Sequence, residues 1–299
     1  MNTIIETEAP VDGPAASRRI VAAVDVSDYA ASVAQYAGWA AQRVQAGLSL
    51  LHVVQPASTA HLADLSGNLA LGVHEELLDK LVRLDEQRAE LVQQQGQQTL
   101  SQLQQQLQSK GVQDCQIHQR NGLLVDVLLQ HQDRIRLLVI GKRGEHADFA
   151  QGHLGSNLER VVRALERPVL VASRQWKPVN RFLVAFDGSP ASRKAVEMIC
   201  ASPLLKNLEC QLLMVGDTRR SHKEAMNWAS AMLKQAGFEP LLLLKSGEPE
   251  SLIAEQVQSQ EIDLLVMGAY GHSRIRSLLL GSTTTSLLRS CAVPVLLLR

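Results

Sequence analysis

The most constraining feature of this 299-residue chain is an order of strands and helices that occurs twice. Short apolar runs alternate with segments of helical periodicity, a pattern that predicts parallel α/β sheets. Equivalent landmarks keep a constant spacing, since Asp25 and Asp187 lie 162 positions apart whereas Gly141 and Gly268 lie 127 apart. Equivalent landmarks thus keep one constant spacing early in the two copies and a smaller one later, which indicates two copies of one fold. The decrease means that the first copy carries about 36 extra residues.

Each copy is predicted to contain five strands. In the first copy they are Arg19–Val26, Leu48–Val54, Val112–His118, Leu137–Ile140 and Pro168–Ala172. In the second they are Arg181–Phe186, Cys210–Val215, Pro240–Lys245, Leu264–Met267 and Val293–Leu297. The prediction is therefore an α/β protein of two tandem, doubly wound, five-stranded parallel-sheet domains. Its predicted parts are a loose tail (1–17), a first domain (18–174), a linker (175–180) and a second domain (181–299).

The extra residues of the first copy fall between its second and third strands, at about 55–110. Glu75–Lys110 has leucines at helical spacing and is rich in glutamine between Gln93 and Gln108. One interpretation is an elongated crossover helix that covers the sheet. The other makes this helix, together with His61–Val73, a lid or a surface for a partner.

Composition argues against several classes of function. Lys+Arg and Asp+Glu are equal at 30 each, and aromatic residues are only 3%, so we expect no nucleic-acid partner. The four cysteines lack metal-ligand spacing, no apolar run is long enough to span a membrane, and the N-terminus lacks the pattern of a signal peptide. We therefore expect a cytoplasmic protein. P-loop, GxGxxG, GxSxG and HExxH motifs are missing from the sequence.

One stretch, 262–290, carries the strongest chemical signal. A short apolar strand runs into Gly268 and Gly271, and after nine further residues Gly281 and Ser282 open a helix. Glycines allow close approach of the backbone to a ligand, and a helix N-terminus suits a phosphate. The alternative is that these residues only end a strand, make a turn and cap a helix.

Sheet topology favours the phosphate interpretation. In a doubly wound five-stranded unit, the first and fourth strands are neighbours where the chain order reverses, and ligands bind beyond their carboxyl ends. Asp187 ends the first strand of the second copy, and the glycine-rich loop follows the fourth strand. A carboxylate there can accept hydrogen bonds from a ribose while the loop takes the phosphates.

Both halves resemble the universal stress protein family, and the whole chain resembles a tandem member with a Rossmann-like fold of the adenine-nucleotide-hydrolase type. The most specific mark is the pattern Gly-x2-Gly-x9-Gly-Ser, which the second half matches in full. The resemblance implies ATP as ligand, with Mg²⁺ left open. The implied nucleotide-binding residues are Ala185 and Asp187 at the nucleoside, Val215 at adenine, Met267 and Gly268 at the ribose, and Gly271, Gly281, Ser282 and Thr283 at the phosphates.

The first half departs from this pattern. Ten residues rather than nine precede its Gly-Ser pair, so we expect its site to be weaker, altered in ligand or empty. The residues of this degenerate second site are Asp25, Gly141, Gly144, Gly155 and Ser156. Three residues of the same loop, His146, Asp148 and His153, are weak metal-ligand candidates, for which an exposed polar loop is the favoured explanation.

The resemblance further implies that the two halves pair through their fifth strands about a pseudo-twofold axis, with a homodimer as an option. The function it implies is an ATP-dependent switch or binding module in stress response, acting on a protein partner that the sequence does not identify. Some members of the family hydrolyse ATP slowly, but this sequence offers no obvious general base, so no enzyme activity is assigned. The rival hypothesis is a nucleotide-free scaffold whose first domain and Gln-rich helix bind a protein or a lipid-like metabolite.

Overall fold

The computed structural model describes residues 18–55, 71–143, 155–269 and 282–299. Within these ranges ten strands form one sheet, with helices on both of its faces. The strands are β1 (Arg19–Ala23), β2 (Leu48–Val54), β3 (Cys115–Asn121), β4 (Ile135–Gly141), β5 (Val169–Ala172), β6 (Arg181–Ala185), β7 (Glu209–Val215), β8 (Leu241–Lys245), β9 (Leu264–Gly268) and β10 (Val295–Leu298).

The helices of the described ranges follow the strands in regular alternation. They are α1 (Ala30–Val44), α2 (Leu71–Ser109), α3 (Leu124–Gln130), α4 (Ser156–Ala164), α5 (Pro190–Ala201), α6 (Arg220–Gln235), α7 (Pro249–Ser259) and α8 (Ser282–Ser290). Short 3₁₀ turns lie at Gln132–Arg134 and Pro203–Leu205. In the part of the chain that the structure describes, no helix combines the length and the apolar character needed to cross a membrane.

The strand order is β3-β2-β1-β4-β5-β10-β9-β6-β7-β8. The second five strands repeat the order of the first five in reverse, as a two-fold relation between the halves requires. All neighbours run parallel except β5 and β10, which pair antiparallel with Val171 opposite Val295. This confirms the expected pairing of the fifth strands and the predicted fold class of two doubly wound units.

Both faces of the sheet are covered by apolar cores that run through the two halves. One cluster contains Ile20 and Phe182, and the other contains Leu138 and Leu265. Strand residues alternate between the two clusters because successive side chains of a strand point to opposite faces. Burial on both faces explains why these strands read as continuous apolar runs in the sequence.

The third strand begins later than the sequence predicts, because Val112, just after α2, is hydrogen-bonded to the last turn of that helix. The N–H of Val112 donates to the Leu107 carbonyl, and the N–H of Gly111 donates to that of Gln108. Gly111 has φ +89°, the left-handed conformation that commonly ends helices. The predicted strand Val112–His118 is therefore wrong by three residues, and β3 is Cys115–Asn121.

Helix α2 is much longer than the strands that it crosses. Its 39 residues span about 58 Å, whereas the seven residues of β2 span about 23 Å. Near its C-terminus, Leu100 and Leu107 are buried against the sheet. Farther back, the side chains of Leu84 and Leu91 are 61% and 66% exposed. The interpretation as a crossover helix that covers the sheet therefore holds for the C-terminal part of α2.

This division predicts different effects for two equivalent truncations in one helix. Leu100→Ala is expected to lower the free energy of unfolding by about 2–5 kcal/mol, because Leu100 is fully buried. Leu91→Ala should change it by about 0.5 kcal/mol or less, because Leu91 lies largely in solvent. Urea unfolding of both variants checks this. Equal losses would show that α2 packs along its whole length.

Candidate functional site

The carboxyl ends of β6, β7 and β9 meet at one edge of the sheet because these strands run parallel. Ala185 is the last residue of β6 and pairs in register with Met267 of β9. Gly268 ends β9, and Val215 ends the neighbouring β7. Four of the predicted nucleotide-binding residues therefore lie at one edge, where the chain order reverses.

Asp187 lies two residues beyond β6, in a tight turn. Its Oδ1 accepts the backbone N–H of Ser189 at 2.9 Å, and Gly188 between them has φ +76°. Ser189 then caps α5 by accepting the N–H of Ser192 at 3.2 Å. The strand ends at Ala185, before Asp187, because this turn begins there. These bonds hold the Asp187 carboxylate in a fixed place beside the ends of β6 and β9.

Gly268 has a packing role that the sequence analysis did not foresee. A Cβ atom at this position would lie 2.9 Å from the carbonyl carbon of Ala191 and 3.0 Å from the nitrogen of Ser192. These are backbone atoms of the first turn of α5, which cannot move aside without shifting the helix. The glycine thus lets α5 begin directly against the end of β9, which places the Asp187 turn next to that strand.

The predicted phosphate-binding residues are described only in part. Helix α8 begins at Ser282, so Ser282 and Thr283 lie in its first turn, exposed and half-buried respectively. The first four N–H groups of a helix have no partner within it and can bind an anion. Gly271 and Gly281 lie outside the described residues.

A polar cluster after β7 was not singled out by the sequence analysis. Asp217 accepts two hydrogen bonds from the Arg219 guanidinium, which lower the pKa of this exposed carboxyl to about 2. Its Oδ1 also lies 3.1 Å from Nδ1 of His222. The His222 ring lies so close to Gly216 that an added Cβ would meet it at 2.7 Å. The sequence signal that could have indicated this cluster is the run of charged residues directly after the end of β7.

The first half has a cavity at the carboxyl ends of β1 and β4, where its strand order reverses. It measures about 80 Å³, and its walls include Asp25, Gly141 and Gly155. Asp25 accepts the N–H of Ser27 at 3.1 Å, the counterpart of the Asp187 turn. As in the second half, β1 ends at Ala23, two residues before the carboxylate, so the predicted end at Val26 is wrong.

Two details of the first half bear on its ability to hold a ligand. The N–H of Gly155, at the start of α4, donates to the Lys142 carbonyl at 3.2 Å, so this amide is already used within the chain. A Cβ at Gly141 would lie 2.9 Å from Cβ of Tyr29, so here a tyrosine side chain lies against the strand end. Ser156 is the exposed first residue of α4.

The remaining candidates of this loop lie outside the described residues. They are Gly144 and the three weak metal-ligand candidates, His146, Asp148 and His153. Within the described ranges no group of three or more His, Cys, Asp or Glu side chains is placed to hold a metal ion.

Comparison with known proteins finds a protein family whose sequence model matches this chain. The sequence model of the universal stress protein family matches residues 16–173 and 216–299. The chain belongs to the universal stress protein family. The universal stress protein Slr1230 of Synechocystis is 36% identical over 286 residues, which cover 94% of this chain and all of that protein.

Solved structures of universal stress proteins share the fold of nearly the whole chain. One from Archaeoglobus fulgidus has a TM-score of 0.66 at 20% identity and covers 95% of this chain and 98% of its own. One from Pseudomonas aeruginosa UCBPP-PA14, described as a putative universal stress protein, has a TM-score of 0.63 at 15% identity, with 95% and 94% covered. At these identities the likeness concerns the fold alone.

The family match leaves out residues 174–215, which contain Ala185 and Asp187. The structure shows which elements this part of the chain forms. Here β6 lies between β9 and β7, just as β1 lies between β4 and β2. Each of these two strands is followed by an aspartate-bearing turn and a helix. The unmatched segment therefore occupies the place of the first strand, helix and second strand of a universal stress protein unit.

The packing at Gly268 can be tested with Gly216 as a control. We expect Gly268→Ala to lower the free energy of unfolding by about 1–3 kcal/mol, because its Cβ would overlap backbone atoms of α5. At Gly216 the added Cβ meets the His222 side chain, which can rotate away, so the loss should be below about 1 kcal/mol. Chemical denaturation measures both. A larger loss in Gly216→Ala would contradict this account of the strand end.

Proposed function

We propose that the second half binds an adenine nucleotide, ATP, and that the protein acts as a nucleotide-dependent switch or binding module in stress response. The observation that carries the proposal is the fixed Asp187 turn beside the paired ends of β6 and β9. In open α/β sheets, ligands bind in the crevice outside the carboxyl ends of the strands, where the strand order reverses. Membership of the universal stress protein family agrees with this choice.

The roles of the residues follow from their places at this edge. We assign the ribose to Asp187, whose carboxylate accepts hydrogen bonds, and to the backbone of Met267 and Gly268. We assign adenine to the backbone near Ala185 and Val215, at the ends of adjacent strands. Ser282 and Thr283 supply hydroxyl groups and free N–H groups at the start of α8, which suit phosphate oxygens. Gly271 and Gly281 complete the proposed phosphate loop.

The proposal concerns binding and assigns no catalytic residue. Mg²⁺ is included as the counter-ion of the phosphates rather than as a resident metal, because no described cluster of His, Cys, Asp or Glu would hold it alone. The first half is proposed to bind adenine nucleotide weakly or not at all. Its cavity of about 80 Å³ is smaller than the roughly 300 Å³ of ordinary ligand pockets, and its Gly155 amide is already bonded.

One observation favours the rival class of function, a scaffold that binds another protein. Among the described side chains of helix α2, three large apolar ones are exposed, all on the N-terminal side of Leu100: Leu84, Leu91 and Val92. Exposed apolar side chains grouped on one element often mark an interaction surface. This second candidate does not need a nucleotide, so nucleotide binding separates the two hypotheses.

A matched pair of substitutions tests the nucleotide proposal. Asp187→Asn keeps an oxygen for the Ser189 N–H but removes the charge that would hold a ribose hydroxyl. We expect it to weaken ATP binding by about tenfold or more, because a hydrogen bond to a charged group contributes about 1.5–3 kcal/mol. Asp25→Asn makes the same change in the first half and should leave the affinity unchanged. Isothermal titration calorimetry with ATP and Mg²⁺ measures both variants.

Three results would count against the proposal. Weaker binding in Asp25→Asn alone would move the nucleotide to the first half. Equal effects of the two substitutions would remove the preference for the second half. A wild-type protein that neither releases adenine nucleotide on denaturation nor binds added ATP would favour the scaffold.

A further inference from the structure

A second cavity lies where the two halves of the sheet meet. It measures about 250 Å³ and is formed by the chain after β4 and β5 on one side and by residues 288–292, before β10, on the other. Among the described residues, four basic and no acidic side chains line it. They are Lys142, Arg143 and Arg174 from the first half and Arg289 from the second.

The nearby carboxylates offset only part of this positive charge. Arg174 forms an ion pair with Asp28, in which both side chains are about two-thirds exposed. Arg289 lies 4.0 Å from a carboxylate oxygen of Glu159, at the limit of an ion pair. Within the described residues, neither Lys142 nor Arg143 forms a salt bridge. Counted over the described residues, the four basic side chains and the two carboxylates leave the cavity with an excess of about two positive charges.

Lys142 is the most buried of the four, with only 8% of its surface exposed. Its Nζ donates a hydrogen bond across the junction to the carbonyl of Cys291. This carbonyl, at the C-terminus of α8, carries only a partial negative charge and offsets only part of the ammonium charge. Burial lowers the pKa of Lys142. A buried cation is costly unless it is paired, and an anion in the cavity would provide that pairing.

We propose that this cavity binds a small phosphoryl anion of the pyrophosphate class, held by residues of both halves. Guanidinium groups donate pairs of parallel hydrogen bonds that match phosphate oxygens, and three arginines surround the space. A cleft lined by charges of one sign concentrates the opposite ion. The volume of about 250 Å³ suits a small anion better than a whole nucleotide.

The phosphoryl group has two chemical sources. Tyr29 and Arg143 line both this cavity and the cavity of about 80 Å³ in the first half, so the two spaces share a wall. The group is either a free small anion or the phosphate tail of a nucleotide that the first half binds weakly. Neither source depends on the site in the second half, because none of the four basic residues belongs to it.

Calorimetric titration of pyrophosphate into the full chain tests the proposal. Arg143→Met and Arg289→Met remove one cation from each half, and each is expected to weaken binding at least tenfold. Arg167→Met is the matched control, because Arg167 pairs with Asp133 away from the cavity, and it should leave the affinity unchanged. Thermal unfolding checks that each variant is folded. If one cavity variant does not fold, the other still tests the proposal.

The outcomes separate clearly. Absence of pyrophosphate binding in the wild type, or equal weakening in Arg167→Met, would overturn the proposal, as would unchanged affinity in the cavity variants. ATP that displaces pyrophosphate, and loses this ability in Asp25→Asn, would support the nucleotide tail as the source. Pyrophosphate binding that ATP does not affect would support a free anion.

Discussion

The structure depends on the antiparallel pairing of β5 with β10. This pairing joins two five-stranded parallel sheets into one, and its residues are almost completely buried, as Val171 and Val295 show. An antiparallel contact between equivalent strands places the halves about a two-fold axis. The apolar clusters on both faces then continue from one half into the other.

Cations from each half strengthen this junction by bonding to carbonyl groups of the other half. Lys142 donates to the carbonyl of Cys291, just after α8, and Arg299 donates to the carbonyl of Leu165, just after α4. Arg43 of α1 donates to the carbonyl of Leu204, in the 3₁₀ turn after α5. Positive groups near helix C-termini also interact favourably with the helix dipole. The basic cavity lies on the Lys142 side of this junction.

The sequence predicted most of the fold because apolar runs, helical periodicity and glycine positions repeat in the two halves. It missed the start of β3, since Val112 is apolar like a strand residue but its N–H is used to end α2. It also could not show that α2 is packed at Leu100 and exposed at Leu91, because leucines at helical spacing read alike in both parts. Such differences depend on the length of the sheet beneath the helix.

The sequence predicted the parts of the candidate site that lie at strand ends. It predicted less of the parts that depend on side-chain packing. Asp187 and Met267 follow from the parallel order, since the ends of neighbouring strands meet at one edge. The role of Gly268 in the approach of α5 could not be read from the sequence, because it depends on the distance between two elements. The basic cavity joins residues about 150 positions apart, such as Lys142 and Arg289, so no local pattern announced it.

Hydrogen–deuterium exchange with and without ATP and Mg²⁺ tests the central claim most directly, because it locates the nucleotide on the intact chain. We predict slower exchange at the ends of β6, β7 and β9, in peptides that contain Asp187, Val215 and Met267. The equivalent peptides of the first half, around Asp25 and Gly141, should change much less. Slower exchange confined to the first half, or no change in either half, would contradict it.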